Sequence, residues 1–167
     1  MYKTTWFRKE FMKKKVMFIS STGGHLSEML ELSDLFSLYD TTIVTEKTKS
    51  NLYLKDKYSS VYFLVYGTKS HFFTYIFKFI YNFFKSLYLY LKIRPDVVVT
   101  TGTHTAVSMC YIAHLFKSKV IFIETLANRN TKTLAGSMIY PIADYFLVQW
   151  ESMLKLYPKA IYSGFIY

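Results

Sequence analysis

Short β-branched runs alternate along the chain with longer stretches of helical periodicity. The runs predict buried strands at residues 16–20, 41–45, 61–66, 96–100, 119–123, 145–148 and 160–163. Because strands that alternate with helices form a parallel sheet covered on both faces, we predict an α/β fold with a Rossmann-like parallel sheet. The 167 residues suit one such domain, at 15–167, after a basic start at 1–14 that is amphipathic or flexible. They are too few for a complete two-domain enzyme.

Four polar loops follow predicted strands, and open parallel sheets bind ligands at these carboxyl ends. The loops lie at residues 21–25, 101–104, 124–130 and 149–151. In the first loop, Gly23 and Gly24 permit positive φ and close approach of a ligand, and a helix beginning after His25 directs free N–H groups at an anion such as phosphate. Two glycines are also what a chain needs simply to turn from a strand into a helix. The loop is neither a complete dinucleotide fingerprint nor a P-loop.

Two titratable residues in these loops are candidates for catalysis. His25 fits a general base or a phosphate donor, although a single histidine often only packs or caps. Glu124 directly follows an apolar strand, where a carboxylate either contacts a ligand or braces its own loop. Gly102 and Thr103 form a second turn at a helix start that could flank a phosphate. An N-cap role explains Thr103 without any ligand.

The single cysteine, Cys110, lies in an apolar helical stretch and is predicted to be an inert core thiol. One cysteine excludes a disulfide framework. No spacing of His and Cys favours a metal site, and no Gly-x-Ser-x-Gly motif favours an acyl nucleophile. We therefore expect neither a metal nor another cofactor.

A strongly aromatic helix is predicted at about 71–91, within a chain that is 20% aromatic. Lys78 and Lys85 interrupt it, and each would cost about 2.5–3.5 kcal/mol near the centre of a bilayer, which disfavours a spanning helix. We expect an amphipathic helix with a narrow basic stripe on a membrane surface. The residues expected to contact the membrane are Phe72, Phe73, Phe77, Lys78, Phe84 and Lys85. The alternative is an ordinary helix buried in the core.

The net charge of +10 indicates anionic partners, namely phosphates, acidic lipid headgroups or nucleic acid. Nucleic acid is disfavoured, because the aromatic residues cluster on one helix instead of lining a sheet or a groove of the kind that stacks bases. We expect no nucleic-acid partner. A self-sufficient small nucleotide-binding or sugar-modifying enzyme remains open as an alternative function.

An ordered series of motifs resembles a known family from about residue 15 to the end of the chain. The series comprises Ser21-Thr22-Gly23-Gly24-His25, the segment 95–102, Ile123-Glu124, the segment 140–144, Val148-Gln149-Trp150, and Tyr157-Pro158-Lys159-Ala160 with Tyr162 and Gly164. Together they resemble the membrane-anchoring, acceptor-side subunit of the split UDP-N-acetylglucosamine transferase of dolichol-linked oligosaccharide assembly. They resemble most closely its bacterial counterparts in capsule or exopolysaccharide synthesis. The loop 125–130, with Arg129, departs from the family pattern.

The resemblance implies the amino-terminal, acceptor-binding half of a GT-B glycosyltransferase. The expected partners are a donor-binding glycosyltransferase subunit, a lipid-linked (di)phosphate glycan acceptor and the inner face of the cytoplasmic membrane. The chain is then a peripheral protein on the cytoplasmic face and is inactive without its partner. In such a cleft we expect His25 as the base, Glu124 facing the sugar, and the acceptor phosphate at Gly23, Gly24, Gly102 and Thr103. The transmembrane segment of the eukaryotic relatives has no counterpart here, so the basic start and the aromatic helix are candidate substitutes.

Overall fold

A computed structural model describes residues 13–67 and 72–167, with the side chains of the third helix described from Ile76 onward. The start at 1–12 therefore lies outside the described residues. The strands are β1 (Lys15–Ile19), β2 (Asp40–Glu46), β3 (Val61–Leu64), β4 (Val97–Thr100), β5 (Lys119–Ile123), β6 (Tyr145–Val148) and β7 (Ile161–Tyr162). The α-helices are α1 (Gly24–Glu31), α2 (Leu54–Lys57), α3 (Phe72–Ile93), α4 (His104–Leu115) and α5 (Leu134–Ile139). Short 3₁₀ turns lie at Leu32–Ser37, Lys49–Asn51 and Glu151–Lys155.

All strand pairs are parallel, in the order β3-β2-β1-β4-β5-β6-β7. The chain fills one side of the sheet from β1 to β3 and then crosses through α3 to β4, which pairs with β1 on its other side. In doubly wound sheets the crevice at this reversal of strand order is the usual place for a ligand. The predicted Rossmann-like α/β fold is confirmed, and the loops after β1 and β4 lie on either side of the reversal.

Alternate side chains along the strands divide the core into two layers. Phe18 and Ile43 pack with Met29 of α1 on one face of the sheet. Met17 and Val98 pack on the other face with the inner sides of α3 and α4. Cys110 of α4 belongs to this second layer and is fully buried, and burial raises the pKa of its thiol to about 12. This placement agrees with an inert core thiol.

Strand β3 ends two residues earlier than the predicted run 61–66. The difference has a physical cause, because the backbone of Val65 no longer faces a strand. Its N–H donates to Oδ1 of Asn82 at 2.9 Å, and its carbonyl accepts from Nδ2 of Asn82 at 2.8 Å. A side chain from the middle of α3 thus takes the place of a strand partner at the edge of the sheet.

Candidate functional site at the carboxyl ends of the strands

The ends of β1, β4 and β5 converge on a cavity of about 220 Å³. His25, Gly102, Thr103 and Glu124, all predicted as site residues, line it together. The rest of the wall comes from two helices: His104 and Val107 of α4, and residues 133–135 with Met138 at α5. The sequence-based grouping of these strand-end loops is therefore reproduced in the fold. Gly23 and Gly24 are exposed at the start of α1 and do not line this cavity.

His25 and Thr101 join the two glycine turns through a reciprocal pair of hydrogen bonds. Nδ1 of His25 lies 2.8 Å from the carbonyl oxygen of Thr101, and Oγ1 of Thr101 donates to the carbonyl oxygen of His25 at 2.7 Å. Because a carbonyl oxygen only accepts, Nδ1 must carry the hydrogen. Nε2 is then the unprotonated nitrogen of the neutral imidazole, the form that a general base requires.

The Glu28 carboxylate lies beside this imidazole, with Oε2 at 3.6 Å from Nδ1 of His25. The contact with Glu28 raises the pKa of His25, against the opposing effect of burial. Burial would raise the pKa of Glu28 in turn, but the interactions with His25 and Thr125 outweigh it and lower the pKa. No motif in the sequence marks Glu28, although its position three residues after His25 places both on one face of a helix.

Glu124 is only 2% exposed and is held by three surrounding groups. The backbone N–H of Thr125 donates to Oε1 at 3.1 Å, Oγ1 of Thr133 donates to Oε2 at 3.0 Å, and the hydroxyl of Tyr157 lies 3.4 Å from Oε2. Burial raises the pKa of Glu124, although the hydrogen bonds from Thr133 and Thr125 act in the opposite direction. The carboxylate both braces its loop and lines the cavity, so the two readings of Glu124 are compatible.

Gly136 provides the space that this carboxylate occupies. A Cβ at Gly136 would lie 2.5 Å from Oε2 of Glu124 and 2.6 Å from the hydroxyl of Tyr157. Both distances are well inside van der Waals contact, so no other residue fits without moving its neighbours. The sequence does not indicate this role of Gly136, because a glycine early in a short helix belongs to no recognisable motif.

Thr103 does not cap α4, and the N-cap interpretation is wrong. Its φ is +82°, and its side chain makes no capping hydrogen bond. Capping requires an extended backbone that turns the side-chain oxygen toward the helix, which a positive φ does not provide. Oγ1 of Thr103 is instead buried without a hydrogen-bond partner among the described residues. A strained residue with an unsatisfied hydroxyl at a cavity is typical of a ligand site.

A second buried carboxylate that no sequence motif marks, that of Glu46, ends β2. It is 2% exposed and accepts from Oγ1 of Thr105 at 2.8 Å. Nε2 of His104 lies 3.8 Å from the same Oε1 oxygen. His104 therefore both contacts Glu46 and lines the cavity. Among the residues that the structure describes, no group of three His, Cys, Asp or Glu side chains could hold a metal ion.

The loops 124–130 and 149–151 brace each other at the next strand ends. Nε2 of Gln149 donates to the carbonyl oxygen of Glu124 at 3.0 Å, and Nε1 of Trp150 donates to that of Leu126 at 2.8 Å. The guanidinium of Arg129 lies 3.9 Å from the centre of the Trp150 ring. Arg129 is thus a cation stacked on an aromatic ring.

Helix α3 turns Asn82, Lys78 and Lys85 toward the sheet and most of its aromatic side chains outward. Asn82 pairs with Val65, and the half-buried Lys78 and Lys85 line a groove of about 700 Å³ along β3. Phe77 and Phe84 are 72% and 61% exposed. We call the exposed side chains of α3 the aromatic face: Ile76, Phe77, Phe79, Ile80, Tyr81, Phe83, Phe84, Tyr88 and Leu91. The alternative of an ordinary buried helix holds for Leu89 and Tyr90, which belong to the core, and is wrong for the aromatic face. The side chains of Phe72 and Phe73 lie outside the described part.

Lysines from two segments line that groove together. Lys47 and Lys55 come from the connection between β2 and β3, and Lys78 and Lys85 come from α3. Within residues 13–67 and 76–167, none of the four forms an ion pair with a carboxylate. We call this feature the lysine groove.

In the described part of the chain, no helix combines the length and the apolar character needed to cross a bilayer.

The sequence profile of the family described as "Oligosaccharide biosynthesis protein Alg14 like" matches residues 16–166, which is nearly the whole described chain. The chain belongs to the Alg14 family. The resemblance drawn from the ordered motifs is thereby confirmed.

Curated members of the Alg14 family match this chain over different lengths. The UDP-N-acetylglucosamine transferase subunit ALG14 of Candida albicans is 30% identical over 177 residues, which cover 95% of this chain and 81% of that protein. The same subunit of Mus musculus is 33% identical over 95 residues, covering 53% of this chain and 44% of that protein. The shared region of the mouse protein is therefore less than half its length.

Solved structures similar to this Alg14 family member are enzymes of the GT-B type. MurG of Acinetobacter baumannii superposes with a TM-score of 0.66 at 19% identity, covering 83% of this chain and 42% of that one. A UDP-N-acetylglucosamine 2-epimerase superposes with a TM-score of 0.69 at 18% identity, covering 88% and 45%. At these identities the likeness shows the fold alone. The chain spans less than half the length of either enzyme.

Proposed function

We propose that this Alg14 family member is the acceptor-binding subunit of a two-chain glycosyltransferase. The complex transfers a sugar from a nucleotide-sugar donor to a lipid-linked (di)phosphate glycan in the synthesis of cell-surface polysaccharide or oligosaccharide. The observation that carries the proposal is the cavity at the strand ends, which joins His25, Glu124 and the second glycine turn within a half-length GT-B fold. The names of the curated relatives support a subunit role and favour UDP-N-acetylglucosamine as the donor.

The acceptor phosphate is proposed to bind at the two turns. Gly24 begins α1, and nothing lies within 4 Å of the position where its side chain would be. An anion can therefore approach the free N–H groups of the first helical turn and the positive end of the helix dipole. Gly102 and the unsatisfied hydroxyl of Thr103 flank the cavity on the β4 side and supply further hydrogen-bond capacity.

His25 is proposed to act as the general base. The acceptor hydroxyl gives its proton to Nε2 of His25 as its oxygen forms a bond to the anomeric carbon of the donor sugar. The nucleoside diphosphate leaves with the electron pair of the broken bond. General base assistance of this kind is worth about 10²- to 10⁴-fold in rate. Glu124, fixed by Thr133 and Thr125, is placed to orient a hydroxyl of the acceptor sugar.

The donor-binding half is proposed to reside on a partner chain. In GT-B enzymes the reaction takes place between two such domains, and the neighbouring solved structures are more than twice the length that this chain covers. The open strand-end edge of the sheet, which carries the cavity, is the natural face for that second half.

The chain is further proposed to be a peripheral protein on the inner face of the cytoplasmic membrane. The aromatic face offers large exposed rings next to the lysine groove, whose four cations have no carboxylate partners among the described residues. Aromatic rings and lysines combine at the headgroup level of anionic membranes, where each nearby lysine contributes about 1 kcal/mol. Phe72 and Phe73, together with the basic start at 1–14, are proposed to extend this contact.

Reconstitution tests the proposal. The purified chain, a candidate donor-binding chain and their mixture are assayed with a UDP-sugar and a lipid-linked acceptor. We expect transfer from the mixture alone, and a large fall in kcat with His25→Ala while the two chains still co-purify. Turnover by this chain in the absence of a partner contradicts the two-chain proposal and favours the self-sufficient enzyme. Full activity of His25→Ala contradicts the assigned base.

A further inference from the structure

The two carboxylate oxygens of Glu28 have different surroundings. Oε1 accepts from Oγ1 of Thr125 at 2.6 Å and from the backbone N–H of Leu126 at 3.2 Å. Oε2 is buried, has no hydrogen-bond partner among the described residues, and lies 3.6 Å from Nδ1 of His25. One oxygen is therefore fixed to the loop after β5, and the other is held against the imidazole.

We infer that Glu28 is a positioning residue for His25, supporting the imidazole in the orientation that the Thr101 carbonyl sets and stabilising the imidazolium that forms when Nε2 takes a proton. The inference rests on the proposed function, in which His25 is the base. Glu28 acts through His25 and is assigned no contact with the reacting groups. Nothing in the names of the relatives assigns it a role.

The geometry explains how one carboxylate can serve both purposes. Glu28 follows His25 by three residues in α1, which brings their side chains together on the same face of the helix. The bond to Thr125 fixes the carboxylate from outside the helix, so its charge does not swing away into solvent. The carbonyl oxygen of Thr101 holds Nδ1 from a third element. His25 is therefore contacted by Glu28 of α1 and by the loop after β4, and Glu28 itself is hydrogen-bonded to the loop after β5.

A positive charge on His25 is stabilised by a defined set of groups. The Glu28 carboxylate faces it from α1, the Glu124 carboxylate acts on it from the end of β5, and the Thr101 carbonyl faces it from the loop after β4. Tyr167 lies near Glu28, and burial raises the pKa of its phenol, so it adds no charge near neutral pH. Of the two carboxylates, Glu28 has the larger effect on the pKa of His25.

The direction in which removal of the Glu28 charge changes the pKa of His25 can therefore be predicted. With Glu28 in place, the pKa of His25 lies above its ordinary value. The acid limb of the pH profile of kcat/KM, which reports the protonation of the free base, is then displaced upward as well. Without the carboxylate, both the pKa and the acid limb move to lower pH, and kcat falls because the base is weaker and less firmly oriented.

The first measurement is an NMR titration of His25 in the full-length chain, with its resonance assigned by its loss in His25→Asn. We expect Glu28→Gln to lower the pKa of His25. Glu31→Gln is the matched control, because Glu31 ends the same helix one turn after Glu28, is exposed, and makes no ion pair with His25. It should leave the titration unchanged. An unchanged pKa in folded Glu28→Gln overturns the inference.

The second measurement is the pH profile of kcat/KM in the reconstituted complex. We expect the acid limb to move to lower pH in Glu28→Gln and to stay in place in Glu31→Gln. A shifted titration with an unshifted limb overturns the positioning role. If the complex shows no transfer with any variant or with the wild type, the proposed function fails, while the titration still decides whether Glu28 controls His25.

A conservative variant covers the case in which Glu28→Gln does not fold. Glu28→Asp keeps the charge but draws it back by one methylene. We expect a pKa of His25 between the wild-type value and the ordinary value. A pKa equal to or above that of the wild type overturns the inference.

Discussion

Asn82 and Val65 pair through both polar groups of the Asn82 amide, so a side chain of α3 completes the hydrogen bonding at the end of an edge strand. This pairing fixes the rotation of α3 about its own axis. With Asn82 turned to the sheet, Phe77 and Phe84 must point away from it. The outward direction of the aromatic face is therefore a consequence of one polar contact on the opposite side of the helix.

Asn82→Ala should destabilise the protein by roughly 1–3 kcal/mol, because it leaves the Val65 N–H and carbonyl without partners. Urea unfolding followed by circular dichroism measures the loss. Phe77→Ser is the control on the same helix, since its ring is 72% exposed and contributes little to the core. A stability of Asn82→Ala equal to that of Phe77→Ser would show that the pairing does not stabilise the fold.

Phe77→Ser combined with Phe84→Ser should weaken binding to vesicles that contain anionic phospholipid, because two exposed rings no longer insert at the interface. Flotation of the purified protein with such vesicles measures the bound fraction, and added salt should lower it for the wild type through screening of the lysine groove. Leu115→Ser is the control, since Leu115 is 75% exposed but lies on α4. Equal flotation of the double variant and the wild type contradicts a membrane role for the aromatic face.

Glu124→Gln should change how stability depends on pH. Burial raises the pKa of Glu124, so the folded chain holds this proton more tightly than the unfolded chain does. The stability that the protonated group contributes is present at low pH and is lost as pH rises through the raised pKa. Relative to the wild type, the glutamine variant should therefore gain stability between acidic and neutral pH. Parallel urea titrations at several pH values measure this, and a difference between the two proteins that stays constant with pH contradicts it.

Gly24→Val should raise the acceptor KM of the reconstituted complex and leave the donor KM unchanged. A branched side chain at the start of α1 blocks the approach of a phosphate to the N–H groups of the first turn. Gly24→Ala is the matched control, because a Cβ there meets nothing within 4 Å and the stability should hold. Steady-state kinetics with each substrate varied in turn separate the two constants. A change in the donor KM alone places the phosphate site elsewhere.

The strands and the grouping of the loops could be predicted from the sequence because each depends on local information. A β-branched run such as that of β4 forms a strand, and in a parallel sheet the loops after β1, β4 and β5 must emerge on one edge. The end of β3 could not be predicted, since Asn82 lies 17 residues further along the chain.

Only part of the chemistry of the site could be predicted from the sequence. His25 and Glu124 stand next to glycine turns or apolar strands, which marks them in the sequence. Glu28 lies on a helix, where an acidic residue usually is solvated, and only its bond to Thr125 from a remote loop distinguishes it. The N-cap alternative for Thr103 rests on its residue type, and the positive φ that prevents capping is set by the tertiary fold.

The contact between Nδ1 of His25 and the carbonyl oxygen of Thr101 makes the tautomer of His25 depend on a main-chain atom. The accepting atom belongs to the main chain, so every amino acid at position 101 retains it. A scan of alanine substitutions would pass over position 101 as the source of the imidazole tautomer, and random mutation cannot delete the acceptor without moving the backbone. A substitution at position 101 therefore leaves the acceptor of the Nδ1 hydrogen of His25 in place.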